Sequence, residues 1–153
     1  MAAAPRVGFD RRLARFQTCL RTRNADTDQY RHINNAVIAS FFEEARMDIF
    51  LRDDLAVCMH HKRVVVAHLE IDFLKETFYP SDVDVLTESE CAGTTSFALV
   101  QGLYVGDVLC ARARAVCVLL DSDSGKPTAL PDAMRERLAP SRAAASLPLR
   151  SND

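Results

Sequence analysis

Tryptophan is absent from the 153 residues, and glycine and cysteine each occur only five times. With so few glycines there is no G-x-G-x-x-G and no G-x-x-x-x-G-K, so the glycine-rich loops that cradle nucleotide phosphates are excluded. Cys19, Cys58, Cys91, Cys110 and Cys117 are odd in number, scattered, and form no C-x-x-C pair. That spacing suits neither a disulfide framework nor a zinc knuckle, and it fits a reducing, cytoplasmic setting. No apolar run approaches the roughly 20 residues that a membrane-spanning helix requires. An excess of one charge is missing too. Nineteen Lys and Arg against 21 Asp and Glu leave a net charge of -2, with no global attraction to nucleic acid. Met1 to Phe16 holds arginines without a continuous apolar stretch, which does not read as a secretory signal.

What remains is the composition of a soluble globular domain, 48% hydrophobic and 26% charged. That share of apolar surface is enough to offset the entropy of ordering the chain. The length is that of one domain. We expect a flexible arm over 1–11, a single folded unit over 12–139 and a mobile tail over 140–153, where no helical or strand face can be found.

Periodicity orders the middle of the chain. Leu13, Phe16, Cys19 and Leu20 suggest a strand within Arg12 to Arg23. A polar stretch follows from Asn24 to Asn34, and Asn34 or Asn35 is a good helix cap. Ile38, Phe41, Phe42, Ala45 and Ile49 then recur at helical spacing and predict one long helix, with Glu43, Glu44 and Arg46 as an ion network beside the stripe. From about His61 the period becomes two. Val65, Ala67, Leu69, Ile71 and Phe73 alternate with polar residues. Val83 and Val85 begin the next strand, Phe97, Leu99, Leu103 and Val105 another, and Gly106-Asp107 signals a two-residue hairpin. Ala111, Ala113 and Ala115 line one face of the last strand and leave room for the phenylalanine-rich helix. Pro131 and Asp132 open a short terminal helix through Leu138. The expected fold class is α+β, with one long helix on a curved, mostly antiparallel sheet of about five strands, the order of the hotdog fold.

Chemistry concentrates in Asp26-Thr27-Asp28-Gln29-Tyr30-Arg31-His32-Ile33-Asn34-Asn35, just before the helix. Unpaired N–H groups and a partial positive charge at a helix N-terminus can stabilise an oxyanion. Asp28 lies far enough ahead for its carboxylate to fold over that terminus. The alternative is structural, with Asp26 and Asp28 in Asx-turns and Asn34 as a plain cap. Cys58, His60, His61 and His68 lack a three-ligand spacing, so we expect no metal and no cofactor. Arg63, Lys75, Arg112 and Arg114 are candidates to meet phosphates. Lys75 leads them, because it ends the strand whose Phe73 faces the helix.

Asp26-x-Asp28 followed by His32-Ile33-Asn34-Asn35-Ala36 and Phe42-Glu43-Glu44-Ala45-Arg46 resembles the 4-hydroxybenzoyl-CoA thioesterase family of hotdog thioesterases. Ile71 to Lys75, Gly93 to Phe97, Ala111-Arg112-Ala113 and Leu130-Pro131 resemble later family segments, so the similarity spans most of the folded core. The resemblance implies that Asp28 is the nucleophile or general base, that the Asn35 backbone N–H faces the thioester oxygen, and that His32 orients the reacting groups. It implies that Asn34 caps the helix and holds the loop, and that Thr95 and Ser96 approach the active site from a strand, a plain turn-and-edge role being the alternative. With Phe73 and Lys75 from the strand reading above, these are the expected substrate-binding residues. Asp26 is expected to bond loop N–H groups. Two positions depart from the pattern. Tyr30 stands where plant acyl-carrier-protein thioesterases have a catalytic Asn, and Arg31 replaces the Gly common before the His.

A thioester carbonyl is electrophilic enough to need no Ser-His-Asp machinery, and no G-x-S-x-G occurs. The expectation is an enzyme that hydrolyses a fatty or aromatic acyl-CoA. An acyl-carrier-protein thioesterase and a non-catalytic acyl-CoA-binding protein are the alternatives. The unpaired sheet edge expected of a single hotdog implies a homodimer or homotetramer with sites between subunits, and no nucleic-acid or membrane partner.

Overall fold

The structure, a computed structural model, describes residues 9–140. Its sheet strands are β1 (Phe16–Arg21), β2 (Lys62–Phe73), β3 (Asp82–Ala92), β4 (Ser96–Val105) and β5 (Val108–Asp121). The helices are α1 (Asn35–Leu51), the single turn α2 (Asp53–Ala56) and α3 (Asp132–Arg137). All strand pairs are antiparallel in the order β1-β3-β4-β5-β2, which leaves β1 and β2 as edges. Helix α1 covers one face. This is the hotdog arrangement expected. Among the described residues no helix is long and apolar enough to cross a membrane.

Asn34 caps α1, its side-chain oxygen accepting the Ala36 N–H at 2.8 Å. The predicted stripe is the buried one: Ile38, Phe41, Phe42, Ala45 and Ile49 are all buried. Opposite them, Ala111, Ala113 and Ala115 are 0%, 5% and 0% exposed, so the small side chains of β5 form the floor on which the phenylalanines of α1 rest. Gly106-Asp107 makes the two-residue turn between β4 and β5, with Gly106 at φ +58°.

Two local expectations change. Strict alternation along β2 fails, because the register against β5 shifts between Val66 and His68. Val64 and Val66 pair with Leu119 and Cys117 on the helix side, and past the shift Leu69, Ile71 and Phe73 take that side opposite Ala115, Ala113 and Ala111. Ala67 is the extra residue of a bulge, so Val65 and Ile71 point to opposite faces. Arg46 does not join an ion network with Glu43 and Glu44. It is buried, and its Nη1 donates to Gln101 Oε1 at 2.9 Å, while Gln101 Nε2 donates to the Phe42 carbonyl at 3.2 Å and to Thr87 Oγ1 at 3.1 Å. Position 46 lies one helical turn from Phe42, so it turns inward with the stripe. Cysteines differ by position: Cys110 and Cys117 are buried, whereas Cys19 and Cys91 are exposed. Burial pushes the Cys117 thiol up to about 11, with the nearby Arg46 charge opposing.

Residues 1–8 and 141–153, most of the expected arm and tail, lie outside the described residues. The described end of the arm is packed. The Phe9 ring lies 6.3 Å from that of Tyr104, and a Cβ on Gly102 would stand only 2.8 Å from Phe9, so glycine is what lets this ring approach β4.

The alanine floor generates a stability test. Ala115→Leu would force a branched side chain between β5 and the cluster of Ile49, Phe50 and Phe97. It should lower unfolding free energy by about 1–3 kcal/mol, read as a drop in the urea midpoint.

Candidate active site

The polar stretch before α1 folds into a tight hairpin. Thr27 bridges Ile33, the Asp28 N–H donates to the His32 carbonyl at 2.8 Å, and the Arg31 N–H donates to the Asp28 carbonyl at 3.0 Å. Arg31 closes the turn at φ +66°, the left-handed region that glycine adopts without strain. The glycine that the family pattern carries at this position therefore has a conformational reason, and here an arginine holds the same shape.

Both loop carboxylates have structural tasks, assigned differently from the expectation. Asp28 Oδ1 accepts the N–H groups of Tyr30 at 2.8 Å and His32 at 3.1 Å, an Asx-turn that fixes the hairpin. Asp28 Oδ2 has no partner among the described residues. Asp26, expected to hold loop amides, is buried and holds one, at the start of the loop. Its carboxylate accepts the Arg23 N–H at 2.7 Å and the guanidinium at 2.7 and 3.1 Å. Those bonds hold its carboxyl below the ordinary 3.8, against the opposing effect of burial.

A cavity of about 310 Å³ opens where this hairpin, the first turn of α1 and the chain after β2 meet. Asp28, His32, Asn35, Phe73 and Lys75 line it, together with Ile33, Ile38, Leu74, Glu76 and Thr77. At its helix end, Asn34 Oδ1 takes the Ala36 N–H and the Asn34 carbonyl takes those of Val37 and Ile38, leaving the Asn35 N–H without an acceptor among the described residues. The far wall is pinned to the hairpin by the Ile33 N–H donating to the Thr77 carbonyl at 2.7 Å. His32 stands with Nε2 3.5 Å from Glu76 Oε1 and its ring edge-on to Phe78, centroids 5.1 Å apart.

Five of the eight expected site residues are thus brought together. Asn34 caps the helix without lining the cavity. Thr95 and Ser96 do not line it either. Ser96 pairs with Val118, seven residues along β5 from the Ala111 opposite Phe73, or roughly 23 Å at the rise of a strand. Arg112 and Arg114 are occupied on the other face of the sheet by Asp72 and Glu90, at 2.6 Å each. Glu76 and Thr77 were missed by sequence reasoning. They sit in an irregular connection past the end of a strand, where periodicity carries no signal. Among the described residues no group of three or more His, Cys, Asp or Glu side chains is gathered as metal ligands would be, and the His60 and His61 rings meet edge to face, centroids 4.2 Å apart.

An antiparallel sheet covered by one long helix is the hotdog architecture, and here the carboxylate hairpin shares a cavity with the first turn of that helix. The model of the thioesterase-like superfamily matches residues 22–138, and the chain belongs to that superfamily. It is a thioester hydrolase by class. Among solved structures it is similar to a predicted thioesterase from Bacillus stearothermophilus, at 32% identity and a TM-score of 0.73, covering 80% of this chain and 92% of that one. It is also similar to a thioesterase from Thermus thermophilus complexed with coenzyme A and zinc, at 30% identity and a TM-score of 0.71, covering 89% and 98%. An uncharacterized protein, YsmA of Bacillus subtilis (strain 168), is 26% identical over 124 residues, covering 78% of this chain and 82% of that protein.

The Asp26 bonds make a pH prediction. A carboxyl held below 3.8 adds stability that is present above that value and is lost as pH falls through the lowered one. Asp26→Asn should cost about 1–3 kcal/mol at pH 7, since a buried acceptor for a charged donor is lost. Its urea midpoint should also fall less between pH 5 and pH 2 than that of the unaltered protein. Turnover per folded molecule should stay within about twofold.

Proposed function

We propose that this protein is an acyl-CoA thioesterase of the 4-hydroxybenzoyl-CoA thioesterase group, with Asp28 as its reactive carboxylate. The observation that carries the reading is the shared cavity of Asp28, His32 and the unpaired Asn35 N–H. A thioester carbonyl seated at the start of α1 would direct its oxygen to the Asn35 N–H and the positive end of the helix, which stabilise the charge that develops on attack. Asp28 Oδ2 is the oxygen left for chemistry once Oδ1 has taken the two loop amides. As general base it takes a proton from water while the water oxygen bonds to the carbonyl carbon. As nucleophile it forms that bond itself, giving an anhydride that water then opens. In both routes the carbon–sulfur bond breaks, the thiolate takes up a proton, and a free acid leaves. His32 positions the water or carbonyl. Phe73 offers apolar surface to the acyl group and Lys75 a cation to a CoA phosphate. The coenzyme A bound to the Thermus thermophilus relative supports CoA as the carrier.

The site is completed by a second subunit. Edge strand β2 is twelve residues long, and Val66, Leu69 and Phe73 are 44%, 39% and 47% exposed along it. Two-fold antiparallel pairing of this edge removes its open backbone groups and continues the sheet. The same operation sets the Lys62 end of one β2 beside the Phe73 end of the other. Thr95 and Ser96 of the partner subunit, which flank that end of the sheet, are thereby carried toward the cavity, and this is the route by which they would meet substrate. The five free cysteines suit a reducing cytoplasm.

Two measurements test the reading. Asp28→Asn keeps the Oδ1 acceptor of the Asx-turn and removes the base. It should lower kcat by roughly 100-fold or more in a thiol-release assay across acyl-CoA chain lengths, with a matching acyl-carrier-protein substrate as comparator. Near-normal turnover in that variant would reject Asp28. Faster release from the carrier protein would reassign the substrate, and no release from either would leave a binding protein. Light scattering at micromolar concentration should give at least twice the 17.0 kDa chain mass, and a 17.0 kDa monomer would remove the shared site.

A further inference from the structure

We propose that Thr77 is a second hydrogen-bond donor to the thioester carbonyl oxygen, acting beside the Asn35 N–H. This rests on the thioesterase reading of the cavity and adds a residue to its chemistry. Thr77 is 2% exposed, yet its Oγ1 has no hydrogen-bond partner among the described residues. A hydroxyl withdrawn from water without a partner opposes folding, and a valine of the same shape would avoid that cost. The position also lines the cavity that holds Asp28 and Asn35. Its backbone is fixed there, since the Thr77 carbonyl accepts the Ile33 N–H at 2.7 Å, two residues before the helix begins.

The neighbouring groups do not use the hydroxyl. Asp28 Oδ1 is taken by the hairpin, Glu76 reaches His32, and the Lys75 N–H donates to the Cys110 carbonyl at 2.9 Å. A hydroxyl is a donor that rotates to suit its acceptor. The acceptor that a thioester brings to the start of α1 is its carbonyl oxygen, which gains negative charge as the carbon is attacked. Asn35 and Thr77 line the same cavity, so that oxygen has one backbone N–H and one side-chain O–H to accept from. Their bonds strengthen as charge develops, so the effect falls on kcat more than on substrate affinity.

The test compares Thr77→Val, Thr77→Ser and Asp28→Asn by kcat, KM and Tm with the best acyl-CoA substrate. Thr77→Val should lower kcat about 100-fold, the scale of a lost oxyanion donor, with KM within about threefold. Its Tm should be unchanged or higher, because an unpaired buried hydroxyl has gone. Thr77→Ser restores the hydroxyl and should recover kcat to within about threefold. Should the valine not fold, Thr77→Ala removes the same group and should show the same kcat loss. A valine variant with normal kcat overturns the proposal, as does a serine variant that falls as far as the valine, which would indicate packing. If Asp28→Asn is inactive while Thr77→Val is fully active, the donor role alone is lost. If Asp28→Asn is fully active, the reading of the cavity falls and this inference with it.

Discussion

Helix α1 lies closest to β1 and β3, and its Phe41, Phe42 and Phe50 fill the space above β5, where Ala111, Ala113 and Ala115 share their buried clusters. Large side chains on one surface need small ones on the other if the interface is to reach interior packing density without strain. Everything at the cavity follows from that fit. The height of α1 above the sheet sets where its first turn lies. The first turn in turn sets the distance between the Asn35 N–H and the segment that follows β2. A helix held further out by larger residues on β5 would carry its N-terminus away from Thr77 and Lys75.

The same interface contains polar groups. Arg46 is buried on the helix side facing the sheet, and its hydrogen bond to Gln101 is passed on to Thr87 and to the Phe42 carbonyl. Burial lowers the pKa of this guanidinium. Its carboxylate neighbours on the helix, Glu43 and Glu44, are exposed and make no ion pair with it. Geometry of this kind fixes the rotation of α1 about its axis, because a directional bond tolerates less sliding than an apolar contact does.

The hairpin over the helix end uses the two oxygens of one side chain differently. Asp28 commits one carboxylate oxygen to the Asx-turn, and the other has no partner among the described residues of the cavity wall. The structural and functional readings of the D-x-D loop are therefore compatible, one for each oxygen. Asp26, by contrast, is wholly committed to Arg23. Arg31 shows that the turn geometry, rather than the residue, is what the loop requires, since it occupies at φ +66° a conformation that glycine reaches more easily.

Much of this was legible in the amino-acid order because it depends on short-range periodicity. The 3.6-residue recurrence of Ile38, Phe41, Phe42, Ala45 and Ile49, the cap at Asn34, the alanine row and the Gly106-Asp107 turn each express a local preference of the backbone or of burial. The hairpin motif added the position of Asp28 and His32. Other features are set by pairings between distant residues. The bulge at Ala67 arises from the register of β2 against β5, and the burial of Arg46 needs Gln101, 55 residues away. Thr77 becomes an unpaired buried hydroxyl only when the chain after β2 docks on Ile33. Thr95 and Ser96 were matched to the site by motif, but strand pairing puts them at the far end of the sheet. Local sequence determines which elements form and which face of each is apolar. Register and docking are decided by contacts that no short window contains, so the depth and contents of the cavity belong to the tertiary structure.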